Sequence, residues 1–368
     1  MSLFPPASFP RIVVKIGSAL LVDPDGGVRR AWLEGIAGNI AARARAGQQV
    51  AVVSSGAIAL GARRLRLANG GRASLEDAQA AAATGQIELS RVWADVLAAN
   101  GLVAAQMLVT LGDLEDRRRY LNAAATLDRL LGFGVVPVLN ENDSVATEEI
   151  RFGDNDRLAA RVAQAAGAGG VVLLSDVDGL YDRNPVLPGA VHIPRVERID
   201  GTVEGMADRG SASGMGSGGM ISKIAAARIA NAAGAHLAIA SGRIEHPLGA
   251  EARHTLFVAE RTAPARKAWL AGGITASGTI HVDAGAARAL GQGRSLLAAG
   301  ATRIEGDFAR GDLVVIAGPD GKALARGLAE YPSEDAARIL GHRNEAQAEL
   351  LGYAPRSTLV HRSHMALL

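Results

Sequence analysis

Along the first 260 residues, short apolar runs alternate with longer stretches whose apolar positions recur at helical spacing. Residues 11–16, RIVVKI, form the first run and end in Gly17-Ser18; an alanine-rich helical stretch follows through residue 46. A second run over 49–53 stops at Ser54-Ser55-Gly56-Ala57, which opens another helix. A long helical pattern over 75–99 precedes a run at 103–109, and 111–131 carries a charged start, DLEDRRRY, before a further amphipathic stretch. The run that opens at Val135 reads as a buried strand in spite of Pro137, and two more runs stand at 170–174 and 234–240. Strands alternating with helices of this length predict βαβ units around a mainly parallel sheet. In such a sheet the strand ends share one edge. Lys15 to Gly17, Ser54 to Gly56, Asn140 to Asp143 and Ser175-Asp176 are therefore expected side by side.

The pattern changes near Arg261. From Gly278 onward short strand-like runs dominate, GTIHVD, ATRIEGDF, DLVVIAG and ALARGLAEY, with two helical pieces, AGAARALGQG and SEDAARILG, between them. This predicts a large α/β domain over 1–262, a linker over 263–276 and a small β-rich domain over 277–368.

Two stretches carry chemistry. Between Asn140 and Asp156, 17 residues hold three amides (Asn140, Asn142, Asn155) and six carboxylates (Glu141, Asp143, Glu148, Glu149, Asp154, Asp156). This cluster follows a strand and ends at Gly153-Asp154-Asn155-Asp156, which starts a helix, so it suits a ligand with a positive or amine end. The second stretch, SASGMGSGGMISK over 211–223, is glycine-rich backbone leading into a helix N-terminus. Such a turn offers amide N–H groups and the positive dipole end to phosphate, and Lys223 adds a point charge there. The GxGxxG match over 214–219 lacks the preceding strand and the later acid of a dinucleotide fold. The Walker and protein-kinase signatures are absent, and the histidines form no recognisable metal set.

Composition narrows the reading. The chain is 48% hydrophobic but only 4% aromatic, so its core is built from Ala, Val, Leu and Ile. No apolar run is long enough to cross a bilayer, the N-terminal residues lack the pattern of an export signal, and cysteine is absent; together these predict a cytoplasmic protein. Only four of 39 basic residues are lysine, and two of these, Lys15 and Lys223, stand beside glycine-rich turns, either by chance or because a compact ammonium is needed where a planar guanidinium would not fit.

VVKIGSALL, VVSSGAIALG, VLNENDSVATEEIRFGDNDRLAA, LLSDVDGLYDRNP and SGMGSGGMISKIAAARIA resemble the motifs of the amino acid kinase family. DLEDRRRYLNAAATL and the C-terminal domain, which is similar to a PUA domain, extend the likeness over nearly the whole chain. The resemblance implies a three-layer α/β sandwich around a mainly parallel sheet. It further implies transfer of the γ-phosphoryl of MgATP to the side-chain carboxylate of L-glutamate, the first step of proline synthesis. In that reading Lys15, Lys223 and Asp156, with Asp154, are catalytic, and Ser55, Asp143 and Asn155 hold the amino acid. Lys15, Ser175, Asp176, Ser217, Gly218, Gly219, Met220, Ile221, Ser222 and Lys223 hold ATP. Mg2+ arrives with ATP. Proline as inhibitor, a homo-oligomer (dimer or tetramer) and functional pairing with glutamyl phosphate reductase follow from the same resemblance.

The acidic cluster bears on the acceptor. A free α-ammonium needs an anionic partner such as Asp143, whereas an N-acylated amino acid does not. Kinases acting on aspartate or N-acetylglutamate remain the alternatives within the family. RNA binding by the PUA-like domain is a reading of another class, but 13 basic against 10 acidic residues after position 260 make no basic stripe.

Overall fold

The computed structural model describes residues 3–23, 27–145, 155–209, 219–249, 252–259 and 276–368. The chain divides into two compact units, one of residues 1–115 and 122–261, the other of 116–121 and 262–368.

In the first unit, β1 (Arg11–Ile16), β2 (Gln49–Ser54), β3 (Ala104–Val109), β4 (Val136–Glu141) and β5 (Gly170–Ser175) alternate with helices. These are α1 (Ser18–Leu21), α2 (Arg30–Arg45), α3 (Ala57–Leu65), α4 (Leu75–Ala98), α5 (Leu111–Glu115), α6 (Arg117–Gly132, of which residues 117–121 are grouped with the second unit) and α7 (Asn155–Ala166). A short pair, β6 (Leu180–Tyr181) and β7 (His192–Ile193), precedes β8 (Arg195–Val196), α8 (Gly201–Arg209), α9 (Met220–Ala232), β9 (His236–Ser241) and β10 (His254–Phe257). The main sheet has the order β3-β4-β2-β1-β5-β9-β10-β8. Its first six strands are parallel; β10 runs antiparallel to β9. The expected mainly parallel sheet is present.

The chain leaves β1 on one side for β2, β4 and β3 and on the other for β5 and β9, so β1 stands where the strand order reverses. That reversal opens a crevice at the strand carboxyl ends. Continuous Val, Ile and Leu explain why β1, β2, β4 and β5 are buried on both faces. Pro137 is tolerated because the ladder between β2 and β4 begins at Val138, one residue later. The short β6, β7, β8 and β10 escape the sequence pattern because two to four residues make no readable period.

One close packing contact joins α3 to α4. Helices α3 and α4 cross at Gly61 and Gly85, where a Cβ would stand 1.7 Å from the Ala81 carbonyl oxygen and 1.9 Å from that of Ala57, respectively. Only glycine permits this approach. Helix α4 is capped by Ser74, whose side chain accepts from the Asp77 N–H at 3.0 Å, and Glu76 and Asp77 suit its N-terminal dipole. Farther along, the fully buried Trp93 donates from Nε1 to Ser54 Oγ at 2.9 Å, tying α4 to the end of β2.

The second unit carries a sheet of order β12-β11-β13-β14-β15: β11 (Gly278–Val282), β12 (Ala301–Gly306), β13 (Leu313–Ala317), β14 (Ala323–Leu328) and β15 (Met365–Leu367). With it are α10 (Ala284–Gly291), α11 (Ser333–Arg338) and α12 (Asn344–Leu351). Ile280, Val314, Ile316, Tyr331 and Val360 centre its own core. The strands and helices expected between 278 and 341 are present; β15 and α12 extend them.

Candidate active site

Three charged side chains from three elements meet at the carboxyl edge of the main sheet. Lys15 comes from β1, Asp156 from the first turn of α7, and Lys223 from the first turn of α9. Lys15 Nζ lies 2.5 Å from Asp156 Oδ1, and Lys223 Nζ lies 3.0 Å from Asp156 Oδ2. The Asp156 side chain is 1% exposed. Burial pushes its carboxyl toward the protonated form, but the two ammoniums outweigh burial and hold the pKa below the ordinary carboxylate value. Asp156 therefore stays ionised and fixes two point charges at one place.

Next to this trio stands an amide cluster. Asn155, the residue before Asp156, donates from Nδ2 to Ser55 Oγ at 2.8 Å and to Asn140 Oδ1 at 3.3 Å. Ser55 is held at the turn after β2 by its own N–H, which donates to the Ile16 carbonyl at 3.1 Å. The following Gly56 has φ 111°, a left-handed conformation that turns the chain into α3. Asn140, the penultimate residue of β4, donates to Gln86 Oε1 on α4 at 2.8 Å. Asn155 Oδ1 is buried and has no hydrogen-bond partner among the described residues.

Asp143 follows β4 and is 8% exposed. Burial raises its carboxyl from 3.8 to about 6, and the Arg72 guanidinium pulls it back only part of the way. A buried carboxyl with so weak a cationic partner suits an incoming ammonium. At the end of β5, beside β1, Ser175 Oγ donates to Asp176 Oδ1 at 3.0 Å. On the other side Gly219 caps α9 in extended conformation, and Met220, Ile221, Ser222 and Lys223 form the helix's first turn. Ile221 is 59% exposed and Lys223 buried, so the turn points its charge inward.

The structure thus gathers Lys15, Lys223 and Asp156 in one cluster and Ser55 with Asn155 in another, adjacent through α7. Asp143, Ser175 and Asp176 stand at neighbouring strand ends. Asp154, Ser217 and Gly218 lie outside the described residues. Sequence reasoning gave Asn140 no site role and missed Gln86. Its pairing with Asn140 spans 54 positions and leaves no local signature, although the adjacent Gly85 marks a close helix crossing.

Comparison with known proteins shows the family. The amino acid kinase family pattern matches residues 10–241, and the PUA domain pattern matches 278–349. The chain is 77% identical over 368 residues to a glutamate 5-kinase of Sphingopyxis alaskensis, covering 100% of both chains. It is 60% identical to that of Novosphingobium aromaticivorans, covering 98% of this chain and 96% of the relative. With the glutamate 5-kinase of Zymomonas mobilis it shares 58% identity, covering 100% and 94%. The chain belongs to the amino acid kinase family, alongside the glutamate 5-kinases, and continues into a PUA domain.

Proposed function

We propose that this kinase transfers the γ-phosphoryl group of MgATP to the side-chain carboxylate of L-glutamate, giving L-glutamyl 5-phosphate and ADP. A glutamate carboxylate oxygen attacks the γ-phosphorus, the bond to the β-phosphate oxygen breaks, and ADP leaves with the electron pair. The acceptor is already ionised at neutral pH, because its pKa is about 4.3, so no general base is needed. Catalysis then rests on in-line positioning and on charge placed where the phosphoryl group passes. The observation that carries this reading is the pair of buried ammoniums converging on Asp156. Lys15 and Lys223 reach the transferring group from the strand side and the helix side, and Asp156 keeps both in place. The first turn of α9, together with Ser175 and Asp176, holds the nucleotide; Ser55, Asn155 and Asp143 hold the amino acid, Asp143 at its α-ammonium.

A divalent ion supplies further neutralisation of phosphate charge when bound. Among the described residues no group of three His, Asp or Glu side chains is gathered for a metal. In this reading Mg2+ arrives bound to the phosphates of ATP. Asp154 belongs to the same reading as a companion to Asp156, and Ser217 and Gly218 as part of the nucleotide loop. So do a kinase domain over 1–262, a linker over 263–276, a PUA-like domain over 277–368, cytoplasmic location, a dimer or tetramer, inhibition by proline, and pairing with glutamyl phosphate reductase. Aspartate and N-acetylglutamate are the competing acceptors.

The test is glutamate-dependent ADP release with MgATP, trapping the acyl phosphate with hydroxylamine, with aspartate and N-acetylglutamate in parallel. Turnover with glutamate alone, suppressed by proline, is expected. Equal turnover with either competitor would refute the acceptor assignment.

A further inference from the structure

We propose that Gln86 and Ser90, one turn apart on α4, are positioning residues for the amino-acid acceptor. They set the direction of a hydrogen-bond chain that ends on Asn155 and leaves Asn155 Oδ1 open to the substrate's α-ammonium. This rests on the glutamate reading and adds to it the residues that impose the site's donor–acceptor polarity.

The chain starts at a hydroxyl with one proton. Ser90 Oγ donates that proton to the Gln86 backbone carbonyl at 2.7 Å, so toward the Gln86 side chain it can only accept. Gln86 Nε2 accordingly donates to Ser90 Oγ at 3.2 Å, which turns Gln86 Oε1 toward β4. Asn140 Nδ2 donates to that oxygen at 2.8 Å, so Asn140 presents Oδ1 to Asn155. Asn155 Nδ2 then spends one hydrogen on Asn140 Oδ1, at 3.3 Å, and the other on Ser55 Oγ, at 2.8 Å. Each amide in the series is oriented by the one before it.

What remains is an acceptor. Asn155 is 6% exposed, and its Oδ1 has no partner among the described residues. Buried carbonyl oxygens are paired in nearly all proteins, so an orphan here marks a place for a donor. An ammonium brings only donors. If Gln86 turned over, Asn140 and Asn155 would turn with it, and Asn155 would offer N–H to N–H. The position of the relay is fixed independently: Gly85, the neighbour of Gln86, lies in the close crossing with α3, and α3 begins two residues after Ser55. Both ends of the relay therefore stand on one rigid contact.

The experiment compares steady-state kinetics of the full-length wild type with Gln86→Leu, Gln86→Glu and Ser90→Ala. Gln86→Leu removes the oriented acceptor, and the glutamate KM is expected to rise about tenfold, the scale of one mis-set hydrogen bond. The kcat at saturating glutamate and the ATP KM should stay within about twofold. Gln86→Glu keeps an oxygen facing Asn140 and should hold the glutamate KM within about threefold of wild type. Ser90→Ala frees the Gln86 amide to turn, and an intermediate rise is expected without disturbing the helix crossing. An unmoved glutamate KM in both Gln86→Leu and Ser90→Ala would overturn the proposal. So would a Gln86→Glu enzyme as impaired as Gln86→Leu, which would mean that Gln86 acts by packing. Failure of the wild type to use glutamate would sink the functional reading itself, a distinguishable result.

Discussion

The two ends of the main sheet both bury charge, and they do it differently. At the amino end, Arg43 of α2 is 7% exposed, and its hydrogen bonds among the described residues go to neutral oxygens. Its guanidinium donates to Leu3 O at 2.8 Å, Phe4 O at 3.2 Å, Leu248 O at 2.6 Å and Gln48 Oε1 at 2.7 Å. Gln48 in turn donates to Phe4 O and Phe9 O, joining residues just before β1 and β2. At the carboxyl end, two ammoniums share the Asp156 carboxylate, Asp143 is held partly neutral by burial, and Asn155 Oδ1 has no partner among the described residues. The amino end is closed by the chain's own carbonyls. The carboxyl end, in the proposed function, is completed by a ligand. A planar fork suits the first task and compact point charges the second.

The largest expected effect comes from removing the shared carboxylate. Asp156→Asn leaves two buried ammoniums without their common anion, so unfolding free energy should fall by about 3–5 kcal/mol. In protein that remains folded, kcat should drop about 10²–10³-fold as the ammoniums lose their aim. Chemical denaturation and single-turnover rates check the two parts. Arg43→Met should cost about 2–4 kcal/mol of stability through the stranded carbonyls and leave kcat unchanged in folded enzyme. Gly85→Ala sits between these behaviours. Its Cβ would press on Ala57 O, so a stability loss of about 1–3 kcal/mol should be joined by a raised glutamate KM.

The smallest effect is a pH dependence. Asp143 titrates near 6 in the folded protein, and only its ionised form attracts an ammonium. Below pH 6 the glutamate KM should rise toward tenfold per pH unit while the ATP KM stays flat; the glutamate side chain, with pKa about 4.3, is still largely ionised there. The stability effect has the opposite sign. Because the folded pKa is raised, the native state keeps a proton that the unfolded chain has released. Stability therefore declines as pH climbs from the ordinary carboxylate value, 3.8, through about 6. Asp143→Asn should accordingly raise the melting temperature at pH 8 more than at pH 5, while weakening glutamate binding.

Much of this is legible in the sequence. Continuous apolar runs between helical stretches predict the parallel sheet, and strand-end polar groups predict its working edge; Lys15, Ser55, Asn155, Asp156 and Lys223 all fall there. Contacts between distant positions left no trace. Nothing in AAATGQIELS says that Gln86 faces Asn140 or that Ser90 steers it, because side-chain hydrogen bonds across the fold have no period. Arg43 was invisible for the same reason: in sequence it is one of 35 arginines, and only burial among carbonyls sets it apart. The two- to four-residue strands were lost to brevity.

The most direct test sets Lys15→Met beside Arg43→Met and measures kcat and melting temperature for both. Lys15→Met should lose about 10²–10³-fold in kcat with little change in melting temperature, because Lys223 still pairs Asp156. Arg43→Met should do the reverse. A Lys15→Met enzyme with near-normal turnover, or one whose loss is explained by unfolding alone, would contradict the division of labour between the two ends of the sheet.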